Sequence, residues 1–386
     1  MRPEGSRCPA CGIGSLDGVL ELPAVPIHST TFYPTPELAR AVPRGDLRLA
    51  VCRSCSLVWN LAFEPHRVEY TPDYENSQHF SPAFQQYVEA LTTQLAATYD
   101  LADRNVVEVG SGKGEFLTEL VRAAGCRGIG YDPTFDGDVA EDASGVVIER
   151  RNFGPEDALH LDAALVIARH VLEHVDDPVR FLRSLRPTGV AAVPVYIEVP
   201  DAGAVFRGQG MWDLIYQHVA YFSAPALDVV ARRAGYTVTA LYRAFDGQFL
   251  ALEALPGQPT APSPDPELVR AACEDIDGFA RRLHERLDHW RGRLNRNGGR
   301  TVLWGAGAKG VTFLNLLDLP DPFDHVIDVN PRKVGRYVPG TGQRVEAPDV
   351  LRGAALSQVI IPNGAYRQEV CDELRRLGHD THVDVA

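Results

Sequence analysis

Several side chains in this sequence are spaced so that they could do chemistry. Glu108 sits in an apolar run, Val106–Val109, that breaks into Gly110-Ser111-Gly112-Lys113-Gly114; a second run, Gly128–Tyr131, ends at Asp132. Three glycines in five residues let a backbone turn tightly and approach a ligand with no Cβ in the way. A helix over about Glu115 to Ala124 then turns its first amides toward that ligand. A carboxylate at Asp132 can accept both hydroxyls of a ribose. Tyr216 and His218, two residues apart among apolar and aromatic neighbours, offer a phenol and an imidazole, an acid and a base near neutral pH. Cys8, Cys11, Cys52 and Cys55 form two CxxC pairs. Four thiolates from two knuckles suit tetrahedral zinc with no position left for water, a structural site. A redox role fits poorly, because no βαβ pattern surrounds either pair.

The elements that must position these groups follow from apolar periodicity. Residues 1–62 read as a small module around the four cysteines, with an irregular, proline-rich insert of 40 residues between Cys11 and Cys52. A module this small gains its fold from the metal. Residues 63–255 alternate strands and helices in the manner of a doubly wound sheet. A helix is expected from about Ala83 to Tyr99. Strands are expected at 106–109, 128–132, 145–148, 163–168 and 193–200, and Ser223 is the N-cap of a helix ending near Gly235. His170, near the end of the fourth strand, is the better site candidate of its segment; His174, one helical turn on, reads as structural. Residues 256–298 comprise a linker with five prolines in eleven residues and a helical stretch over 267–296 with Ile276, Phe279, Leu283, Leu287 and Trp290 on one stripe. Residues 299–386 open a second strand–glycine–helix–strand unit, Thr301–Trp304, then Gly305-Ala306-Gly307-Ala308-Lys309-Gly310, then Val326–Asp328. That string matches GxGxxG, with Asp328 where a ribose-binding acid would stand.

The chain has 386 residues, 45% hydrophobic and 23% charged, and a net charge of −13. This is the composition of a globular protein of two or three domains at about 150 residues each. The acidic balance argues against wrapping nucleic acid. No apolar run reaches the ~18 residues of a membrane span. The opening lacks the charged-then-apolar layout of a secretion signal, so a cytoplasmic protein is expected.

The spacing E-x-G-x-G-x-G, with Glu108 inside the strand, resembles motif I of the class I S-adenosylmethionine (SAM) methyltransferases. The whole order adds the cysteine knuckles, the Tyr216–His218 segment, Gly305–Gly310 and Gly335–Thr341. It resembles the three-domain SAM-dependent C-methyltransferases that act on nucleotide-linked deoxysugars in antibiotic pathways. The resemblance implies an α/β chain: a central class I methyltransferase Rossmann-like domain, a small N-terminal zinc-binding module and a C-terminal Rossmann-like domain. It implies SAM held by Glu108, Gly110, Gly112, Gly114 and Asp132, with Asn152 and Phe153 near the adenine and Arg169 near the methionine. It makes the zinc structural, and the stretch before the glycine loop, with Tyr74, a lid. The last domain would hold a nucleotide-sugar and not NAD, with Tyr74, Gln217, Lys309, Arg336 and Thr341 at the substrate.

The chemistry expected is removal of a proton beside a ketone, and attack of the resulting carbanion on the SAM methyl group. His218 is the expected base, Tyr216 a donor to the developing oxyanion, and His170 an aid from the other side. Gln217 stands where the family commonly has Glu; a glutamine cannot take a proton, so the base falls to His218. Three other functions compete. One is a SAM-dependent C- or O-methyltransferase of a non-sugar natural product. Another is an NAD-dependent oxidoreductase using the Gly305–Gly310 loop. The last is a non-enzymatic module whose zinc knuckles dock a partner; the acidic balance argues against nucleic acid in that place.

Overall fold

The computed structural model describes residues 2–137, 145–159, 162–186, 192–208, 210–261, 263–296 and 300–386. In chain order its strands are β1 (Leu16–Pro26), β2 (Arg44–Cys52), β3 (Val58–Asn60), β4 (Asn105–Val109), β5 (Arg127–Tyr131), β6 (Val146–Glu149), β7 (Leu165–Arg169), β8 (Val195–Pro200), β9 (Ala220–Tyr221), β10 (Tyr236–Ala244), β11 (Phe249–Pro256), β12 (Thr301–Trp304), β13 (His325–Ile327), β14 (Val345–Glu346), β15 (Gln358–Ile361) and β16 (Val383–Val385). They form three sheets, ordered β1-β2-β3-β9, β10-β11-β8-β7-β4-β5-β6 and β14-β13-β12-β15-β16.

The seven-stranded sheet is the doubly wound one. β6, β5, β4, β7 and β8 run parallel, β11 pairs antiparallel with β8, and β10 pairs antiparallel with β11 and so resumes the direction of the parallel set. The strand order reverses at β4, so the carboxyl ends of β4 and β7 open the crevice in which such sheets bind ligands. The helix Glu115–Ala124 follows the glycine loop and buries Phe116, Leu117, Leu120 and Val121, a spacing that keeps one face on the sheet. Ser223 caps the helix Ala224–Ala234 by accepting from the Ala226 amide, and Gly235 ends it in the left-handed region. The last sheet is parallel throughout and has the expected Rossmann-like form.

Three expectations change. The insert between the cysteine pairs is regular: β1 and β2 are long antiparallel strands, with register shifts at Gly18/Leu20 and Leu22/Val25. Pro23 falls in the second shift, where no ladder N–H is needed, and Ala24 takes a left-handed φ of 56°. The N-terminal module also does not close on itself, because β9 of the central domain pairs with β3 (Val58↔Tyr221, Trp59↔Ala220). Its core is continuous with the others: one apolar cluster holds Leu49, Trp59, Val199, Phe222, Leu283 and Phe313 together. Finally, the stretch 267–296 is two helices, Pro266–Asp277 and Phe279–Arg296, meeting at Gly278. All five residues of the stripe are buried.

Gly305 and Gly310 touch across the start of the helix Ala308–Leu317, where a Cβ on Gly310 would stand 1.9 Å from the Gly305 carbonyl oxygen. Alanine normally favours a helix over glycine by about 1 kcal/mol. Here backbone blocks it, so Gly310→Ala should lose roughly 1–3 kcal/mol, the usual range for overpacking. A lowered urea midpoint is the expected result; an unchanged or raised one would contradict the contact.

Candidate functional site

The glycine loop divides its labour. Gly110, Gly112 and Gly114 all have positive φ, at 76°, 55° and 77°. A Cβ on Gly110 would meet Val171 Cγ2 at 2.2 Å and one on Gly114 would meet Ile148 Cδ1 at 2.3 Å, while one on Gly112 would meet nothing within 4 Å. Gly110 and Gly114 let chains pack, and Gly112 faces open space. The Gly112 amide donates to Asp132 Oδ2 at 2.7 Å, and Thr134 donates its N–H (2.7 Å) and hydroxyl (2.6 Å) to Oδ1. Asp132 thus braces the loop, with about one of its four acceptor positions left for another donor.

Behind the loop, Glu108 is buried with Oε2 lacking a hydrogen bond. Burial raises its pKa to about 8, against the pull of Arg169. Arg169 is committed elsewhere: Nε and Nη2 donate to Glu198 Oε1 at 3.0 and 2.7 Å, and the guanidinium lies 4.2 Å over the Phe116 ring. Glu198 has no solvent exposure. It also accepts from Tyr87, from Tyr196 at 3.0 Å, and stands 3.1 Å from His170 Nε2. Burial would raise its pKa, but Arg169 and His170 bring it down to about 2. His170 itself is held at a φ of 54°. Burial pulls its pKa down, but Glu173 and Glu198 outweigh that and set it at about 9. It is therefore an imidazolium at neutral pH, paired to two carboxylates. In the expected assisting role it can bring charge and cannot take a proton.

A second cluster lies one turn further on. Val171, which packs on Gly110, leads into the tight turn Leu172–His174. His174 Nδ1 lies 2.9 Å from the Tyr70 hydroxyl and 3.0 Å from the Gln217 carbonyl oxygen. Its ring meets that of His218 edge-on, centroids 4.9 Å apart. Burial lowers both imidazoles to about 4, so both are neutral at pH 7. Glu173 is 2% exposed, and neither of its oxygens makes a hydrogen bond.

This geometry corrects two readings of the sequence. Tyr216 is fully buried and turned away: its hydroxyl accepts from the Glu64 amide (3.1 Å) and donates to the Ala62 carbonyl (3.4 Å), and its ring packs on Gly45. A two-residue spacing puts side chains on one face only in a strand. Tyr216 and Gln217 form a turn, so Tyr216 and His218 diverge. His174, read as structural, is the group brought to His218. With Tyr70 and Glu173 it was not legible, because Tyr70 and His218 reach it from distant segments.

The remaining candidates disperse. Gln217 Oε1 accepts from the Ser29 amide and hydroxyl at 3.3 Å each, while Nε2 is buried without a partner. Phe153 packs edge-on against Tyr131 at 5.2 Å, and Asn152 is exposed beside it. Tyr74 packs edge-on against Tyr70 at 5.4 Å. The stretch around it is strapped down: Asn330 donates to Glu75 at 3.0 Å, Ser77 to Glu115 at 2.5 Å, and Tyr366 to Gln78 at 2.6 Å. Lys309 is deeply placed, donating to Gln248 Oε1 at 2.7 Å, and burial lowers its pKa. Arg336 and Thr341 were expected at the substrate, but their loop docks on the N-terminal module. Arg336 donates to the Phe32 carbonyl at 3.4 Å, Arg40 Nε to the Thr341 carbonyl at 3.1 Å, and Arg44 to the Gly340 carbonyl at 3.0 Å. The reason is local: carbonyls freed by the glycine turns meet arginines of the first module. Asp328, placed where a dinucleotide ribose acid would stand, is buried and occupied by Ala306 N–H, Asn330 N–H and Lys333 Nζ at 2.8, 2.9 and 3.2 Å.

The four cysteines do converge. Cys8 Sγ and Cys55 Sγ are 3.7 Å apart, Cys11 Sγ and Cys52 Sγ 3.6 Å, and all are buried. Zinc–sulfur bonds of about 2.3 Å in a tetrahedron separate the sulfurs by about 3.8 Å. The donor set fits that ion.

Comparison with known proteins agrees with this picture. Residues 80–241 match a family model described as a methyltransferase domain, and residues 273–381 one described as a C-methyltransferase C-terminal domain. A search of curated proteins finds no match. Solved structures similar to the chain include TnmH, at 22% identity over 46% of this chain and 56% of that one, with a TM-score of 0.36. Another is the Burkholderia thailandensis 1,6-didemethyltoxoflavin-N1-methyltransferase with bound S-adenosylhomocysteine, at 14% identity, 46% and 82% coverage and a TM-score of 0.35. A third is the magnesium protoporphyrin IX methyltransferase of Synechocystis PCC 6803, at 16%, 45% and 84%, and 0.35. The chain spans little more than half the length of TnmH. No helix among the described residues is long and apolar enough to cross a membrane. The chain thus joins a class I sheet order and a glycine loop at its reversal point to a methyltransferase domain over 80–241 and a C-methyltransferase C-terminal domain over 273–381.

Proposed function

We propose that the enzyme methylates an enolisable carbon of a small molecule, most readily a nucleotide-linked keto-deoxysugar. The observation that carries this reading is the pair of neutral, buried imidazoles, His174 and His218, set one turn beyond the residue that packs on Gly110. A carbon acid needs a base that is unprotonated at working pH and shielded from water. The C-methyltransferase C-terminal domain supports a carbon acceptor.

SAM, when bound, supplies an electrophilic methyl group. Gly112 would leave room for it, Glu108 would accept from its ammonium group, and the last acceptor position of Asp132 would meet a ribose hydroxyl. Phe153 and Asn152 stand beside β5 for the adenine. His218 removes the substrate proton. In the tautomer that gives its Nδ1–H to the Gln217 carbonyl, His174 keeps a lone pair on Nε2. Tyr70, 2.9 Å from His174 Nδ1, would take the place expected for Tyr216 as the phenol of the site. The His170 imidazolium contributes positive charge near the developing oxyanion. Lys309, at the seam between the last two domains, is the best placed of the expected substrate contacts. The four cysteines hold structural zinc, and a cytoplasmic location fits free thiolates kept for a metal.

Three measurements test this. Glu108, with a pKa of about 8, is mostly protonated at pH 7, and a cation bound beside it lowers that value and expels the proton. SAM binding at pH 7 should therefore release close to one proton, seen as heats that differ between buffers of different ionisation enthalpy; Glu108→Gln should abolish the difference, and equal heats with the wild type would remove Glu108 from the cofactor site. His218→Ala should lower kcat on a nucleoside-diphosphate ketosugar by about 100-fold or more while SAM affinity holds within about twofold; turnover within a few-fold of wild type would exclude His218 as the base. Elemental analysis of purified protein should find at least one zinc per chain, with Cys52→Ser lowering both zinc content and Tm.

A further inference from the structure

Glu173, His174 and His218 offer one ligand atom each, and these atoms all lie within 4.8 Å of one another. Two features mark them out from a chance grouping. Among the described residues the Glu173 carboxylate, 2% exposed, makes no hydrogen bond, and His170 Nδ1 lies 3.5 Å from its Oε1. A buried carboxylate in that state is costly unless a further positive charge joins it. Second, His174 Nδ1 lies 3.0 Å from the Gln217 carbonyl, which can only accept, so the tautomer that makes this bond carries its proton on Nδ1 and keeps its lone pair on Nε2. An imidazole whose far nitrogen is tied to a backbone carbonyl is the usual arrangement around a bound metal, because the tie fixes tautomer and ring direction.

We propose that these three residues form a second metal site, distinct from the four cysteines, for a borderline divalent ion such as Zn2+, Co2+ or Ni2+. Bound ions would draw the three atoms to about 3.4 Å apart, a distance side-chain rotation can close. Two imidazoles select such ions over Mg2+ and Ca2+, which require oxygen ligands. Three protein ligands leave at least one coordination position open, unlike the closed cysteine cluster. Resting on the reading of His218 as the base, the consequence is inhibition. One lone pair cannot hold a metal and take a proton, so the ion and the reaction compete for the same nitrogen.

The test uses tag-free, full-length protein already loaded with its structural zinc, and Co2+ as the probe. One further equivalent of Co2+ should bind with a visible d–d band and without the intense thiolate-to-cobalt band, which marks ligation by nitrogen and oxygen rather than exchange at the cysteines. Glu173→Gln and His174→Gln, checked for native circular dichroism, should each weaken that binding at least about tenfold. No uptake of Co2+ beyond the cysteine site, or equal uptake by a folded variant, overturns the proposal. Co2+ or Ni2+ should also suppress turnover of a nucleoside-diphosphate ketosugar, reversed by a mild chelator. Binding that both variants weaken while wild-type turnover persists would establish the site and refute His218 as the base, so the two readings fail separately.

Discussion

A carboxylate with no access to water must find positive charge and hydrogen bonds inside the protein, and Glu198 does so from four directions. Arg169 comes from β7, His170 from just beyond it, Tyr196 from β8 itself, and Tyr87 from the helix Pro82–Tyr99. Removing one member of such a buried set strands the others, at about 3–5 kcal/mol. The arrangement therefore fixes how the helix lies on the sheet and how the chain leaves β7. That exit is unusual, since His170 is a non-glycine residue with a left-handed φ. The twist sends Val171 onto Gly110 and sets the turn that carries Glu173 and His174. The glycine loop and the imidazole pair are held in register by one buried charge.

The same network sorts the titratable groups. His170, flanked by carboxylates, is cationic; His174 and His218, four and forty-eight residues further on, are neutral because burial dominates. Three histidines within one region thus have different protonation at one pH. That division sets a fixed positive charge beside two uncharged bases.

What the sequence disclosed was local. A strand, three glycines, a helix and a terminal acid lie within 28 residues, and all appear where their periodicity puts them. The cysteine knuckles were equally legible, because CxxC spacing is a covalent constraint. The reading failed where contacts join distant segments. Tyr216 and His218 looked like partners by proximity in sequence, yet a turn parts them. Tyr70, His174 and His218 are joined by the fold alone. The family resemblance put Arg336 and Thr341 at the substrate, but a glycine-rich loop by itself says only that carbonyls are exposed. Arg40 and Arg44, which donate to the Thr341 and Gly340 carbonyls, lie about 300 residues away. Even the proline-rich insert misled, because a bulge let Pro23 sit inside a strand.

The two-residue strand β9 completes the sheet of the N-terminal module from within the central domain, and Ser56 and Ser223 share a 2.6 Å hydrogen bond beside it. Recombination between homologous chains therefore has no clean seam at the front of this enzyme. A crossover near residue 62 would import a cysteine module whose outer edge was shaped against a different Ala220–Tyr221. Viable chimeras should carry the segment around 220 together with the first sixty residues, inherited as a pair although some 160 positions lie between them.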